Sequence, residues 1–341
     1  MKNFEHWKTQ QILSFFGIKR ATLTKAEREG RIPQAVRQKN SKPIMWAESD
    51  IPDIGKAYGF LPRPDNFEPK IFVVYTAKGG VLKTTTCYTL ARLIAMNGYK
   101  TIVIGLDPQL SMTQLALTPL LASMSLDDLP TLVDIGSYVF PESGKKSISS
   151  LVQKTSIPTL DVIPESPTLE DLSSELEVRA FSRKSKSLKI HQFFDKSGLR
   201  KELLKHYDFA FFDCGPTWSP INKNALYISD YVVAPNSCEP GSFQVMKNNL
   251  DEMFEFEGER KYEWEDVFIV PTLRENTKLS KQIYGWILQN YPDFVTSSIR
   301  RSVNGSESFA FGKTPCETQV SGALGQDYLT LSKEIWKRMW G

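Results

Sequence analysis

The stretch Ile71-Phe-Val-Val-Tyr75 runs into Lys78-Gly79-Gly80-Val81-Leu82-Lys83-Thr84-Thr85, and residues Thr84–Asn97 continue with a helical pattern. An apolar β-branched run, a glycine turn and a helix start in direct succession predict strand, loop and helix. The paired glycines let the backbone curl until successive N–H groups face one centre, where the helix N-terminus adds partial positive charge. Lys83 then reaches the outer phosphates of a polyphosphate, and the Thr84 hydroxyl can ligate Mg²⁺. A plain glycine turn needs no lysine at both ends and no Thr-Thr behind it. The loop Gly79, Gly80, Val81, Leu82, Lys83, Thr84 and Thr85 is therefore expected to bind a nucleoside triphosphate. Leu82 stands where such loops usually carry glycine. The expectation is a local backbone that tolerates a side chain, with Leu82 projecting away from the phosphates.

Outward from this stretch, short apolar runs alternate with helical patterns. The runs are Ile71–Tyr75, Thr101–Gly105, Leu160–Ile163, Phe209–Phe212, Tyr231–Ala234 and Val267–Val270; the helical stretches include Thr84–Asn97, Lys186–Phe194, Phe243–Phe256 and Ser280–Asn290. That rhythm predicts an α/β fold, a mostly parallel sheet with helices on both faces. One run releases an acid at the ligand-binding edge of such a sheet, Asp213 in Phe209-Ala-Phe-Phe-Asp213-Cys-Gly-Pro216, and another is followed by Asp107 in Ile104-Gly-Leu-Asp107-Pro-Gln109. Asp213 is expected beside the Mg²⁺. Asp107 reads either as a further acid of the site or as an Asp-Pro turn.

At 341 residues, 41% hydrophobic and 24% charged, the chain is expected to bury a large core and to divide into a small and a large domain. Three prolines in residues 59–70 place the boundary near Asp65, giving 1–64 and 65–341. No run is long and apolar enough to span a membrane, and the polar start Met1–Gln10 resembles no signal peptide, so a cytoplasmic protein is expected. Cys87, Cys214, Cys238 and Cys316 and the three histidines are scattered, which predicts free thiols and no zinc site. Pro141–Ser150 and Arg179–Ser187 read as exposed loops.

Charge is uneven: residues 1–60 hold 11 Lys/Arg against 6 Asp/Glu, and the rest 31 against 33. A basic small segment points to a polyanionic partner. Within it, Thr9–Phe16 and Lys19–Glu29 read as two short helices ended by Gly17 and Gly30, the spacing of a helix-turn-helix. Arg20, Thr22, Lys25 and Arg28 on the second helix could meet bases and phosphates in a major groove. Arg31–Arg37 and Ile44–Trp46 read as a β-wing with a basic tip at Lys39 and Lys42. The other reading is a small helical dimerisation domain whose charges are solvated.

Residues 70–335 resemble the ParA/MinD family of P-loop ATPases, whose KGGVxKTT motif is matched by Lys78–Thr85, with Leu82 before the lysine. The resemblance implies ATP and Mg²⁺ as cofactors and an ATP-dependent homodimer in which Lys78 reaches the partner's phosphates. It assigns Lys78, Lys83 and Asp107 to hydrolysis, with Asp107 organising the attacking water, and Thr84, Asp107 and Asp213 to the metal shell. The family's DxDPQ has Gly105 in place of its first Asp, and its DCPP is DCGP here; Asn224 falls in a shared Asn-Ala-Leu. Val270–Arg274 and Val303–Pro315 resemble stretches that close over the adenine, which brings in Arg274. Residues Gly30-Arg-Ile-Pro33 resemble the stretch after the recognition helix in MerR-type winged helices.

These resemblances imply a nucleoid-associated DNA-partition ATPase with a ParB-type partner protein and repression of its own operon. Arg300 and Arg301 are candidates for non-specific DNA contact. Two alternatives stay open: a nucleotide-gated repressor with little hydrolysis, and a MinD-like positioning ATPase whose last helix, Leu329–Trp340, lies on a membrane. The same apolar stripe suits a helix packed on the sheet, and a DNA-binding segment points away from membranes. An iron–sulfur relative of the same fold is not expected, since no cysteine sits in a cluster-ligating pattern.

Overall fold

The computed structural model describes residues 6–36, 44–121, 147–165, 169–181, 189–302, 308, 312–318 and 322–341. The N-terminal segment opens with β1 (His6–Lys8), which pairs antiparallel with β2 (Met45–Ala47), Trp7 opposite Trp46. Between them lie α1 (Thr9–Phe16) and α2 (Arg20–Arg28), and α1 stops at Gly17, whose φ of 67° is the left-handed end that glycine favours. Both helices stand where the sequence puts them. The ribbon differs from the expected wing: the stretch before residues 37–43 contributes a single bridge, Val36 to Met45, and the main partner of β2 is β1. Trp46 is buried and its indole N–H donates to the Pro33 carbonyl, which fixes the Gly30–Pro33 turn on β2. Lys39 and Lys42 lie outside the described residues.

A helix that the sequence reading does not anticipate, α3 (Ile51–Tyr58), follows Glu48–Asp50. Its Gly55 rests on the C-terminal end of α4 (Lys83–Met96): a Cβ there would overlap the Met96 carbonyl oxygen and lie 2.8 Å from Asn97 Cα. Residues 59–69 then cross without helix or strand. The side chains of Trp7, Ile12, Phe15, Leu23, Trp46, Ile51 and Ile54 share one continuous apolar core with α4 and with one face of the main sheet.

All six expected apolar runs form strands, and a short seventh joins them. In chain order they are β3 (Lys70–Val74), β4 (Thr101–Leu106), β5 (Gln153–Lys154), β6 (Leu160–Ile163), β7 (Phe209–Cys214), β8 (Tyr231–Ser237) and β9 (Asp266–Thr272). Their order across the sheet is β5-β6-β4-β7-β3-β8-β9, parallel throughout except for β5 at the edge. Because side chains alternate across a strand, Phe72, Val74, Phe209 and Phe211 enter the core shared with α4, while Ile71, Val73, Ala210 and Phe212 enter a second core beneath the opposite helices. This is the α/β fold with helices on both faces that the alternating pattern predicts.

Two local expectations give way. Residues 189–192 form a turn, and the short helix there is Phe193–Lys196, interrupted at Gly198 before Leu199–His206. Within Pro141–Ser150, residues from Ile148 enter a one-turn helix because Ile148 and Leu151 bury against the second core; residues 141–146 lie outside the described residues, as do 182–188. The last helix, Ala323–Trp340, buries Leu329, Leu331, Ile335 and Trp336 in the core it shares with α4. Its apolar stripe is thereby used in packing. No helix among the described residues is long and apolar enough to cross a membrane.

Candidate nucleotide site

Parallel pairing brings the chemistry together. β3 lies between β7 and β8, so the loop leaving β3 emerges beside the carboxyl end of β7, with Val74 in register with Asp213. The loop is clamped from β8, β9 and the helix Ser242–Glu257: Thr76 donates to the Pro235 carbonyl at 2.8 Å, the Ala77 N–H to Asn249 Oδ1 at 3.1 Å, and Thr272 Oγ1 to the Val81 carbonyl at 3.1 Å. Gly79 and Gly80 face open space, with Gly80 at φ 72°. Lys83 opens α4 and is buried, its ammonium donating to the Lys78 carbonyl at 2.6 Å. Burial lowers its pKa, opposed by the nearby Asp213 and Asp107 carboxylates. Thr84 and Thr85, half-buried, form the next turn.

Leu82 corrects an expectation. Its backbone is left-handed, φ 66° and ψ 32°, a conformation that side chains rarely adopt. The side chain packs against the apolar core, which holds it in place. A leucine thus occupies a glycine's conformation.

Asp213 is fully buried near the end of β7, and among the described residues its carboxylate oxygens have no hydrogen-bond partner beyond the adjacent Thr84 hydroxyl. Burial pushes its pKa well up, with repulsion from Glu165 adding to this and Thr84 and Lys83 opposing it. A buried acid so little compensated costs stability unless a further cation joins it, and these oxygens beside Thr84 and Lys83 suit a Mg²⁺. Among the described residues no three acidic, histidine or cysteine side chains gather to hold a metal alone.

Asp107 follows β4, half-buried, and accepts from the Gln109 N–H at 3.1 Å. Gly215, which follows β7, faces it: a Cβ at Gly215 would lie 3.6 Å from Asp107 Cγ. The structure therefore brings Lys78, Gly79, Gly80, Val81, Leu82, Lys83, Thr84, Asp107 and Asp213 to one edge of the sheet. Lys78 is turned inward within its own chain, its ammonium bonded to the Ser242 hydroxyl, which also pairs with Ser237 at 2.5 Å. Arg274 is exposed, bonded to Ser298 Oγ at 2.9 Å and stacked over Tyr284. Most of the stretch Val303–Pro315 lies outside the described residues. Asn224 is an internal staple between Phe194, Ile190 and Pro220, away from the loop.

On α2, Arg20, Lys25 and Arg28 are exposed and Thr22 is half-buried, opposite the buried Leu23 and Ala26. Arg300 is bound through two guanidinium nitrogens to Asp327 at 2.7 and 2.8 Å, and Arg301 pairs with Glu239 and, at 2.6 Å, with Glu275. The sequence reading missed Ser242, Asn249 and Thr272, polar residues of a helix and a strand end that carry no motif. It also missed Glu165, although an acid just beyond β6 obeys the same positional rule that marks Asp213.

Comparison with known proteins agrees with this geometry. Residues 69–261 match the family model described as AAA domain. The chromosome partitioning protein ParA of Caulobacter vibrioides is 26% identical over 272 residues, 79% of this chain and 94% of that protein. A replication protein A candidate of Sinorhizobium fredii is 26% identical over 236 residues, 66% of this chain; the chain spans only 56% of that relative. The structure of an ATP complex of McdA from Cyanothece superposes with a TM-score of 0.63 at 16% identity, covering 80% of this chain and 97% of that one, a likeness of fold. With its phosphate-binding loop, its buried acid on the neighbouring strand and this match over more than half its length, the chain belongs to the AAA-domain family of ParA/MinD-type P-loop ATPases.

Proposed function

We propose that the protein is a DNA-partition ATPase that binds ATP with Mg²⁺, dimerises in that state, binds DNA and is released by hydrolysis that a ParB-type partner protein stimulates. The observation that carries the reading is the fully buried Asp213 carboxylate, which has only the Thr84 hydroxyl and the Lys83 ammonium beside it at the mouth of the loop. Mg²⁺ held by Thr84, Asp107 and Asp213 would neutralise charge developing on the β- and γ-phosphate oxygens. Lys83 neutralises the same oxygens from the loop, and Asp107 orients the water that attacks the γ-phosphate. In the dimer Lys78 exchanges its Ser242 partner for the phosphates of the second subunit. Arg274 lies toward the base.

Residues 1–64 act as the winged helix-turn-helix unit on an ATPase unit of 65–341, reading an operator through Arg20, Thr22, Lys25 and Arg28 with a wing at Lys39 and Lys42, and repressing the protein's own operon. The exposed cationic side of α2 supports this. Non-specific, nucleoid-associated binding uses Arg300 and Arg301, freed from their carboxylate partners. An Arg301→Glu variant is expected to retain less duplex DNA; equal retention removes that contact.

A second reading, a nucleotide-gated repressor that hydrolyses little, is favoured by the left-handed Leu82 and by Gly105 in place of an acid. ATP turnover with and without non-specific duplex DNA separates the two. Weak turnover, raised by DNA and lost in both Lys78→Ala and Lys83→Ala, is the expected result. Nucleotide binding without turnover, together with tight operator binding, would replace the partition reading by the repressor.

A further inference from the structure

Gly105 is the penultimate residue of β4, two before Asp107, and the space over its Cα is filled by a side chain that follows a neighbouring strand. A Cβ added at Gly105 would run into Glu165 Cγ and lie 2.7 Å from its Cδ and 3.2 Å from Oε1. Glu165 stands just beyond the end of β6, the parallel neighbour of β4, with Ile104 opposite Ile163. Its carboxylate is buried and turned to the start of α5 (Ser111–Leu121): Oε1 accepts from the Met112 N–H at 3.0 Å and Oε2 from the Thr113 N–H at 2.7 Å. In return the Glu165 N–H donates to Thr113 Oγ1 at 2.9 Å. Two of the N–H groups that a helix leaves unpaired in its first turn are thus satisfied by a residue more than fifty positions away.

Asp107 and α5 are separated only by Pro108-Gln109-Leu110. That link is tight: the Leu110 N–H donates to the Asp107 carbonyl at 3.2 Å, the Leu110 carbonyl accepts from the Gln114 N–H at 3.0 Å, and Leu110 has a left-handed φ of 59°. A turn this short transmits any displacement of the α5 start to Asp107. β4 fixes one side of Asp107 and the Glu165 carboxylate fixes the other.

We infer that Glu165 is a positioning residue for hydrolysis, its carboxylate occupying the volume that a side chain at position 105 would take and anchoring the start of α5 so that Asp107 is held toward the site. The inference rests on the reading of Asp107 as the residue that organises the attacking water. Gly105 and Glu165 are then complementary: the acid beyond the end of β6 folds over β4 because Gly105 leaves room for it.

The test compares Glu165→Ala, Glu165→Gln, Gly105→Asp and the double variant Gly105→Asp with Glu165→Ala against Asp107→Ala, in the full chain. Steady-state ATP turnover, affinity for a fluorescent ATP analogue and amide hydrogen exchange of residues 107–118 are measured for each. Glu165→Ala is expected to lower kcat about tenfold while nucleotide affinity changes less than about threefold, a split that general unfolding would not give. Exchange over 107–118 rises in the same variant. Glu165→Gln, which keeps one acceptor, falls between it and the parent. Gly105→Asp alone is poorly folded, and removing the Glu165 side chain from that variant restores folding. If Asp107→Ala turns over normally, the hydrolysis reading fails while the exchange data still judge the anchor. If Asp107→Ala is inactive but Glu165→Ala matches the parent in kcat, or leaves exchange unchanged, the role of Glu165 is overturned.

Discussion

Arg92 and Glu317 form a two-point ion pair sealed from solvent: Arg92 Nε and one terminal nitrogen bind the two carboxylate oxygens at 2.8 and 3.0 Å, with side chains 1% and 3% exposed. The same guanidinium holds Glu48 of the N-terminal segment and donates to Tyr88 Oη at 3.0 Å, and Lys313 also pairs with Glu48. The attraction of two carboxylates keeps Arg92 charged despite burial, and Glu317 is held below the usual carboxylate range. Three distant parts of the chain, Glu48, the helix that carries Arg92 and Tyr88, and Glu317, meet at this one cation.

Removing Arg92 leaves Glu48 and Glu317 buried without their shared partner, whereas trimming one acid leaves a pair behind. Arg92→Met is expected to cost about 3–5 kcal/mol of unfolding free energy and Glu48→Gln clearly less. Urea denaturation monitored by tryptophan fluorescence measures both, and equal losses would argue against the shared-cation arrangement.

At Leu82 the ordinary ranking of substitutions should invert. Leu82→Ala loses the packing and keeps a side chain in a left-handed backbone, whereas Leu82→Gly loses the packing but also releases the strain. The glycine variant is therefore expected to be more stable than the alanine variant by about 1 kcal/mol. Thermal melting of the two proteins tests this; a more stable alanine variant would contradict the backbone described for Leu82.

Glu165 gives a signed pH dependence. Burial raises its carboxyl from 4.5 to about 7, opposed by the Thr113 and Met112 hydrogen bonds and assisted by the Asp107 charge. Asp213 is a further acid whose field Glu165 shares. Between these two values the folded protein keeps a proton that the unfolded chain has released, so stability falls as pH rises through about 4.5 to 7 and levels off above. The loss is at most about 3 kcal/mol. Denaturant midpoints at pH 5 and pH 8, in chelator, should differ less in Glu165→Gln than in the parent protein.

Asp213 is expected to set stability against binding. Replacing the buried acid by Asp213→Asn removes a charge that the interior opposes, and the metal-free protein should gain about 1–3 kcal/mol at pH 8. Affinity for ATP in the presence of Mg²⁺ should fall in the same variant. Calorimetric unfolding and titration with an ATP analogue supply both numbers, and a variant that loses stability would show that the acid is already compensated.

The sheet and the phosphate loop were legible because short continuous apolar runs and a glycine turn are local signals, and Asp213 was legible because a parallel strand delivers the residues at its end to the ligand edge. The conformation of Leu82 was not, since no neighbouring residue announces that a clamp from Thr272 to Val81 and core packing will force a leucine into the left-handed region. Glu165 escaped notice for a related reason: its carboxylate binds the backbone of Met112 and Thr113, more than fifty residues away in sequence. The departure at Gly105 was visible, but what fills its space was not. Helix α3 passed unread because its short amphipathic pattern acquires meaning only against α4. The ion pairs of Arg300 and Arg301 depend on Asp327, Glu239 and Glu275, which arrive from other elements.

The contact of Gly55 with the end of α4 is backbone against backbone, with no side chain between to yield. α4 begins at Lys83 and, at 14 residues, is a rod of about 21 Å. Its far tip is gripped by α3, and α3 continues into the ribbon that carries α1 and α2. The N-terminal helices are therefore mounted on a stiff strut whose other end is the lysine of the phosphate loop. The backbone contact at Gly55 and the unbroken α4 set the distance and bearing of α1 and α2 from Lys83, as an instrument head is held on an arm with no elbow.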